Sequence, residues 1–151
     1  MALKERLNDD LKAALLGGNR FAADTLRNLK AAILNEEVAQ NRRDEGLNDT
    51  EIEGVIAREV KKRRESIVLY EQNERTDLAE NEQAEIDVLS VYLPEQLSDD
   101  EIQTTIDEIV TTLGVTGPQA MGQIIGAVKS KLGSAADGAT IARLVKSTLQ
   151  Q

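Results

Sequence analysis

The sequence predicts an all-α protein with an N-terminal helical region, including a long antiparallel helix hairpin, and a compact C-terminal three-helix module. Three observations indicate this fold class. Residues that favour or tolerate helices, chiefly Ala, Leu, Ile, Glu, Lys and Gln, dominate the 151-residue chain. Apolar residues recur at steps of three and four along most of its length. Aromatic residues make up only 2% of the chain, so the expected core is aliphatic.

The first two helices are predicted from their apolar spacing. Residues 3–16 form the first, since leucines fall at 3, 7, 11 and 15, and the glycines at 17 and 18 end it. Residues 21–43 form the second. Its predicted buried stripe consists of Ala22, Leu26, Leu29, Ile33 and, more weakly, Val38.

A third helix is predicted from Thr50 to about Asn73, because Thr50 and Glu53 have the spacing of a capping box. Its stripe contains Ile52, Val55, Ile56, Val60 and Ile67. The second and third helices are long and joined by a short loop, which predicts that they form the antiparallel hairpin. A fourth helix over 77–91, with Leu78, Ile86, Leu89 and Val91 as its stripe, is expected to lean on this hairpin together with the first.

The basic cluster KKRR at 61–64 is interpreted as a solvated helix face. Four consecutive helical residues point in all directions and cannot form one patch. Glu59 is correctly spaced for an i,i+4 ion pair with Arg63.

The segment YLPEQLS at 92–98 predicts a domain boundary, so we expect a helical region over 1–93 and a three-helix module over 94–151. Pro94 interrupts any helix before it. Ser98 and Glu101 then form a capping box, with Leu97 and Ile102 as its hydrophobic staple. The module's helices are predicted over 99–113, 117–132 and 138–149, with Gly114 ending the first and Asp137 capping the third.

The net charge of −9 is unevenly distributed. Residues 1–75 carry 14 basic and 15 acidic groups, and residues 76–110 carry 11 acidic groups and none basic. Residues 111–151 carry four basic groups against one acidic group. The whole chain therefore argues against nucleic acid, whereas its last segment mildly favours it.

The composition offers little chemistry. The chain contains no cysteine and no histidine, which removes thiolate nucleophiles and the commonest general base and metal ligand. No nucleophile is paired with a base, so we expect no catalytic residues, no cofactor and no metal site. The charged start MALKERLNDDLK is not a signal peptide, and no apolar run reaches membrane-spanning length. We therefore expect a cytoplasmic protein with no membrane partner.

Three stretches together resemble the YqeY-like proteins of the GatB/YqeY family: RFAADTLRNLKAAILNEEV, EVKKRRESIVLYEQNERTDLAENEQAEIDVLSVYLPEQLS and AMGQIIGAVKSKLGSAADGATIARLVK. The resemblance covers essentially the full length. It implies that the 94–151 module is similar to the tail of the B subunit of the tRNA-dependent amidotransferase, which engages the body of the tRNA. The chain has no room for that enzyme's catalytic domain.

The resemblance implies an accessory tRNA- or RNA-binding protein without its own catalytic site. The alternatives are a protein-interaction adaptor and, least favoured, a component of a carbon–nitrogen ligase with glutamine as amido-N-donor. The expected partners are a tRNA or a protein of tRNA-dependent amidation or translation. The candidate RNA contacts are the four cations of the last segment, Lys129, Lys131, Arg143 and Lys146.

Gly122 and Gly126 are unusual because each mid-helix Gly costs about 1 kcal/mol relative to Ala. Together with Lys129 they predict a shallow groove of bare backbone on the shoulder of an apolar helix face. That face consists of Met121, Ile124, Ile125, Val128 and Leu132. A neighbouring helix of the module packed closely against Gly126 is the favoured explanation, while for Gly122 a packed helix and a docked partner or RNA backbone stay open.

Overall fold

The computed structural model describes residues 2–150, and every regular element within them is helical, which confirms the all-α class. The helices are α1 Leu3–Leu16, α2 Arg20–Ala39, α3 Asp49–Gln72, α4 Thr76–Ser90, α5 Asp99–Leu113, α6 Met121–Leu132 and α7 Gly138–Leu149. Single turns of 3₁₀ helix at Pro118–Ala120 and Gly133–Ala135 flank α6. The chain divides into two compact units, unit 1 (Met1–Leu93) and unit 2 (Pro94–Gln151). No helix among the described residues is both long and apolar enough to cross a membrane.

Unit 1 packs α1 to α4 around one aliphatic core. α2 packs on α3 as expected, but the most extensive helix contact of the unit is between α3 and α4, which are joined by a three-residue turn. The helix hairpin with the most extensive packing is therefore α3–α4 rather than α2–α3. The core consists of Leu3, Leu7, Leu26, Leu29, Ile33, Leu47, Ile52, Val55, Ile56, Val60, Ile86, Leu89 and Tyr92.

Three positions of the predicted apolar stripes are exposed rather than buried, and one of them is Leu15 of α1, at 49%. Val38 and Val91 are more than half exposed, because each lies at the end of its helix and faces away from the core. α2 also ends at Ala39, four residues earlier than predicted. The chain reverses at Asn41, whose φ is +55°, and the Arg42 amide donates back to the carbonyl of Glu37.

The position that α2 buries instead of Val38 is Glu37, which is only 2% exposed. Its Oε2 accepts a hydrogen bond from Lys4 Nζ at 2.8 Å and one from the Leu47 amide at 2.9 Å. The hydrogen bond from Lys4 lowers the pKa of Glu37, with burial opposing it. This carboxylate therefore joins α1, α2 and the 40–48 loop through polar contacts inside the unit.

The predicted N-cap of α3 is two residues too late. The N-cap is Asn48, whose side chain accepts from the Glu51 amide while Glu51 accepts from the Asn48 amide. Thr50 lies inside the helix. Asn48 and Glu51 have the same capping-box spacing as the predicted pair, so two local signals competed.

The interpretation of the KKRR cluster as a solvated face fails at one residue. The Arg63 side chain is 13% exposed and pairs with Glu59, as predicted, and also with Glu85 of α4 at 3.3 Å. Lys61, Lys62 and Arg64 are exposed. Arg63 therefore contributes to the α3–α4 contact.

Unit 2 packs α5, α6 and α7 against one another. The Ser98–Glu101 capping box, the left-handed Gly114 after α5 and the Asp137 cap of α7 are confirmed. Its buried core consists of Ile102, Ile106, Ala120, Ile124, Val128, Ala136, Ile141 and Val145. The predicted apolar face of α6 is correct, since Ile124 and Val128 are fully buried and the other three residues pack around them.

Candidate nucleic-acid interface

Unit 2 segregates charge by helix. α6 and α7 carry the four predicted cations and no carboxylate. α5 carries no cation and five carboxylates, which are Asp99, Asp100, Glu101, Asp107 and Glu108. Because α5 contacts both α6 and α7, the acidic helix lies directly beside the two basic ones.

Two of the predicted cations are paired with this acidic helix. Lys131 Nζ lies 3.3 Å from Glu108 Oε2, and Arg143 Nη2 lies 2.8 Å from Asp99 Oδ2. All four side chains are more than half exposed, and ion pairs of this kind contribute about 0–1 kcal/mol. A phosphate could replace either carboxylate at little cost, but it would remain close to the negative charge of α5.

The other two cations, Lys129 and Lys146, are exposed and have no ion-pair partner among residues 2–150. The Lys129 side chain extends to the start of α7, where a Cβ atom on Gly138 would lie 3.4 Å from its Nζ. Lys146 lies one turn after Arg143 on the exposed side of α7. These two ammonium groups are therefore the ones best placed to bind a phosphate.

The two glycines of α6 lie in open space. Both are exposed, and a Cβ atom built on either would meet no atom within 4 Å outside the local helix backbone. The interpretation of Gly126 as a close helix contact is therefore wrong. The apolar face of α6 turns toward α5 and α7, and the glycine shoulder turns away from them. A docked ligand on this shoulder stays a prediction.

Gly126→Ala is expected to stabilise unit 2 by about 0.5–1 kcal/mol, because the mutation adds helix propensity without a steric clash. Gly122→Ala should have a smaller effect, since Gly122 is the second residue of α6, where the helix frays. Thermal unfolding followed by circular dichroism measures both. A lower melting temperature for Gly126→Ala would show that another part of the protein does approach this backbone.

The charge of residues 111–151 alone does not reveal the influence of α5, which precedes them in sequence. The signal was present, since the capping box had already placed residues 99–113 in the same module. Residues 94–151 contain four basic and seven acidic groups, which gives unit 2 a net charge of −3. The locally basic segment therefore belongs to an acidic unit.

Comparison with known proteins matches residues 4–149 to the family described as Yqey-like protein. Curated relatives carry the name Altered inheritance of mitochondria protein 41, mitochondrial. The protein from Pyrenophora tritici-repentis is 31% identical over 93% of this chain and 77% of its own length. Those from Kluyveromyces lactis and Lachancea thermotolerans are 30% and 28% identical over 83% and 74% of this chain. The matches span 68% and 60% of those two proteins.

These names correct one expectation. The relatives are named as mitochondrial proteins, which contradicts the prediction of a cytoplasmic location. That prediction used the charged N-terminal residues and the lack of a long apolar run, which do not separate one aqueous compartment of the cell from another. Since the family match covers nearly the whole chain, the protein belongs to the Yqey-like family.

Proposed function

We propose that this protein is an accessory RNA-binding protein, without a catalytic site of its own, whose unit 2 contacts the phosphate backbone of a folded RNA such as a tRNA. The observation that carries the proposal is the exposure of Lys129 and Lys146 on two adjacent helices that bear no carboxylate. Cations that neutralise phosphates supply most of the affinity in sequence-independent binding.

Unit 2 is better suited to contact the phosphate backbone of RNA than to recognise its bases. Single-stranded binding uses aromatic side chains on which bases stack, and residues 93–151 contain no aromatic residue. Folded RNA is recognised through its shape, its phosphates and its 2′-hydroxyl groups instead. The open glycine shoulder of α6 would let an RNA backbone approach the helix closely.

An accessory role fits the modest charge of the unit. Two unpaired cations in a unit of net charge −3 supply weak, salt-sensitive binding. A partner must then provide the remaining affinity. The resemblance of unit 2 to the tail of the amidotransferase B subunit favours a partner in tRNA-dependent amidation or translation.

The test is the affinity of the full chain for unmodified tRNA at several salt concentrations. Lys129→Glu/Lys146→Glu is expected to weaken binding by at least about tenfold. If each cation contacts one phosphate, the slope of log K against log salt should fall by about 1.4–1.8. Lys131→Glu/Arg143→Glu, a matched change of four charge units, should have a smaller effect because these residues already face carboxylates.

Asp99→Asn/Glu108→Gln provides the opposite test. It removes the two carboxylates that hold Arg143 and Lys131, and it is expected to strengthen tRNA binding. Wild-type affinity in all three double variants would contradict the proposal. Specific recovery of one protein in the absence of RNA would then favour the adaptor function.

A further inference from the structure

The turn between α1 and α2 of unit 1 exposes large apolar side chains. Leu16 is 81% exposed, Leu15 is 49% exposed and Phe21 is 39% exposed. They lie on either side of the three-residue connection between α1 and α2, which pack against each other. A group of exposed apolar side chains at one end of a helix pair is a candidate interaction surface. We call residues 15–21 the α1–α2 tip.

The backbone of the tip is firmly held. The Gly17 amide donates to the carbonyl of Ala13, and the Asn19 amide donates to the carbonyl of Ala14, both at 2.9 Å. The Asn19 side chain caps α2 by accepting from the Ala22 amide. Gly18 has a φ of +74°, which glycine adopts without strain. The apolar side chains are therefore presented by an ordered turn rather than by a frayed helix end.

Cations lie beside the tip. Residues 11–27 contain one acidic group, Asp24, and three basic groups, all of them exposed: Lys12, Arg20 and Arg27. This segment has a net charge of +2 in a chain of net charge −9. Arg20 and Arg27 line the same surface groove as Ala14 and Leu15, so these cations lie beside the apolar side chains. Arg27 is paired with Asp24 at 3.6 Å, whereas Arg20 has no ion-pair partner among residues 2–150.

We infer that the α1–α2 tip docks on an anionic phospholipid bilayer, with Leu15, Leu16 and Phe21 among the acyl chains and the flanking cations at the level of the lipid phosphates. Interfacial binding combines buried apolar area with attraction to anionic lipids, and the tip supplies both. The expectation of no membrane partner considered only membrane-spanning segments, which docking at the surface does not require.

The experiment measures co-sedimentation of the full chain with phosphatidylcholine vesicles, with and without about 30 mol% phosphatidylserine. Binding is expected with the anionic vesicles and should fall as salt rises. Leu16→Ser/Phe21→Ser should weaken it by about tenfold or more. Lys12→Gln/Arg20→Gln should weaken it by about fivefold for each charge removed.

Leu113→Ser is the matched control, because Leu113 is an exposed apolar residue of unit 2 with 40% exposure. It should bind anionic vesicles as the wild type does. Circular dichroism checks that every variant remains helical, which the exposure of the mutated side chains predicts. Equal binding to both vesicle types, or wild-type binding by both tip variants, would overturn the inference. Failure to bind either vesicle type would also overturn the inference and would indicate that the tip binds a protein instead.

Discussion

Glu37→Leu is expected to lower the free energy of unfolding of unit 1 by about 2–3 kcal/mol. The substitution leaves the buried Leu47 amide without its acceptor. It also removes the partner of Lys4, but that side chain is 46% exposed and can turn to water. The loss should therefore fall below the 3–5 kcal/mol typical of pairs in which both partners are buried. Urea or thermal unfolding monitored by circular dichroism gives the value.

Two variants separate this effect from a general loss of charge. Glu37→Gln keeps an acceptor for the Leu47 amide and should cost less than Glu37→Leu. Glu36→Gln changes the neighbouring, partly exposed carboxylate, whose 3.4 Å pair with Arg58 is a surface pair, and should cost less than about 1 kcal/mol. Equal losses for Glu36→Gln and Glu37→Leu would contradict a special role of the buried group.

The same residue predicts a pH dependence. Because the pKa of Glu37 is lower in the folded protein than its ordinary value of 4.5, the folded state binds the proton more weakly than the unfolded state does. The stabilisation is therefore complete above the ordinary value and is lost as the pH falls through the folded pKa. Acid unfolding of the wild type should show this loss below about pH 4.5, and Glu37→Leu should be less sensitive over the same range.

Helix boundaries were predictable where one local signal acted alone. Ser98 with Glu101 and Asp137 with Thr140 form their contacts within four residues, so the sequence pattern is sufficient. At the start of α3 two capping boxes overlap, and distant residues favour the earlier one. Glu51 binds Arg42, and Asp49 accepts from the Leu3 amide at 3.1 Å. Such contacts cannot be read from a local pattern.

The buried position on α2 shows a different limit. Glu37 follows Ile33 by four residues and so continues the buried stripe of Leu26, Leu29 and Ile33. A rule based on hydrophobicity rejects a carboxylate there and selects Val38 instead. Only the approach of Lys4 and the Leu47 amide makes burial of Glu37 favourable.

The candidate site was predictable in composition but not in pairing. Composition identified the four cations and the two glycines of unit 2, and the helix pattern placed them on α6 and α7. Whether Lys131 and Arg143 are available depends on Glu108 and Asp99, which lie 23 and 44 residues away in sequence. Whether Gly126 is packed depends on which face of α6 the other two helices cover.

Ile124→Ala is expected to destabilise unit 2 by about 2–5 kcal/mol. Ile124 is fully buried and is one of the eight apolar residues that the described part of unit 2 buries. A unit of this size is marginally stable, so the loss is comparable with its total stability and should leave it largely unfolded at 37 °C. Hydrogen exchange followed by mass spectrometry should show faster exchange in α5, α6 and α7.

The same variant tests whether residues 1–93 and 94–151 are independent domains, which stays a prediction. If they are, protection in α2 and α3 should be unchanged by Ile124→Ala, and tRNA binding should be lost while vesicle binding persists. Leu113→Ala, an exposed position in the same unit, should cost less than about 1 kcal/mol and preserve both activities. Loss of protection in α2 and α3 along with unit 2 would show that the two units unfold as one. Persistence of tRNA binding without a folded unit 2 would move the RNA site to unit 1, where α3 carries five basic residues between 58 and 64.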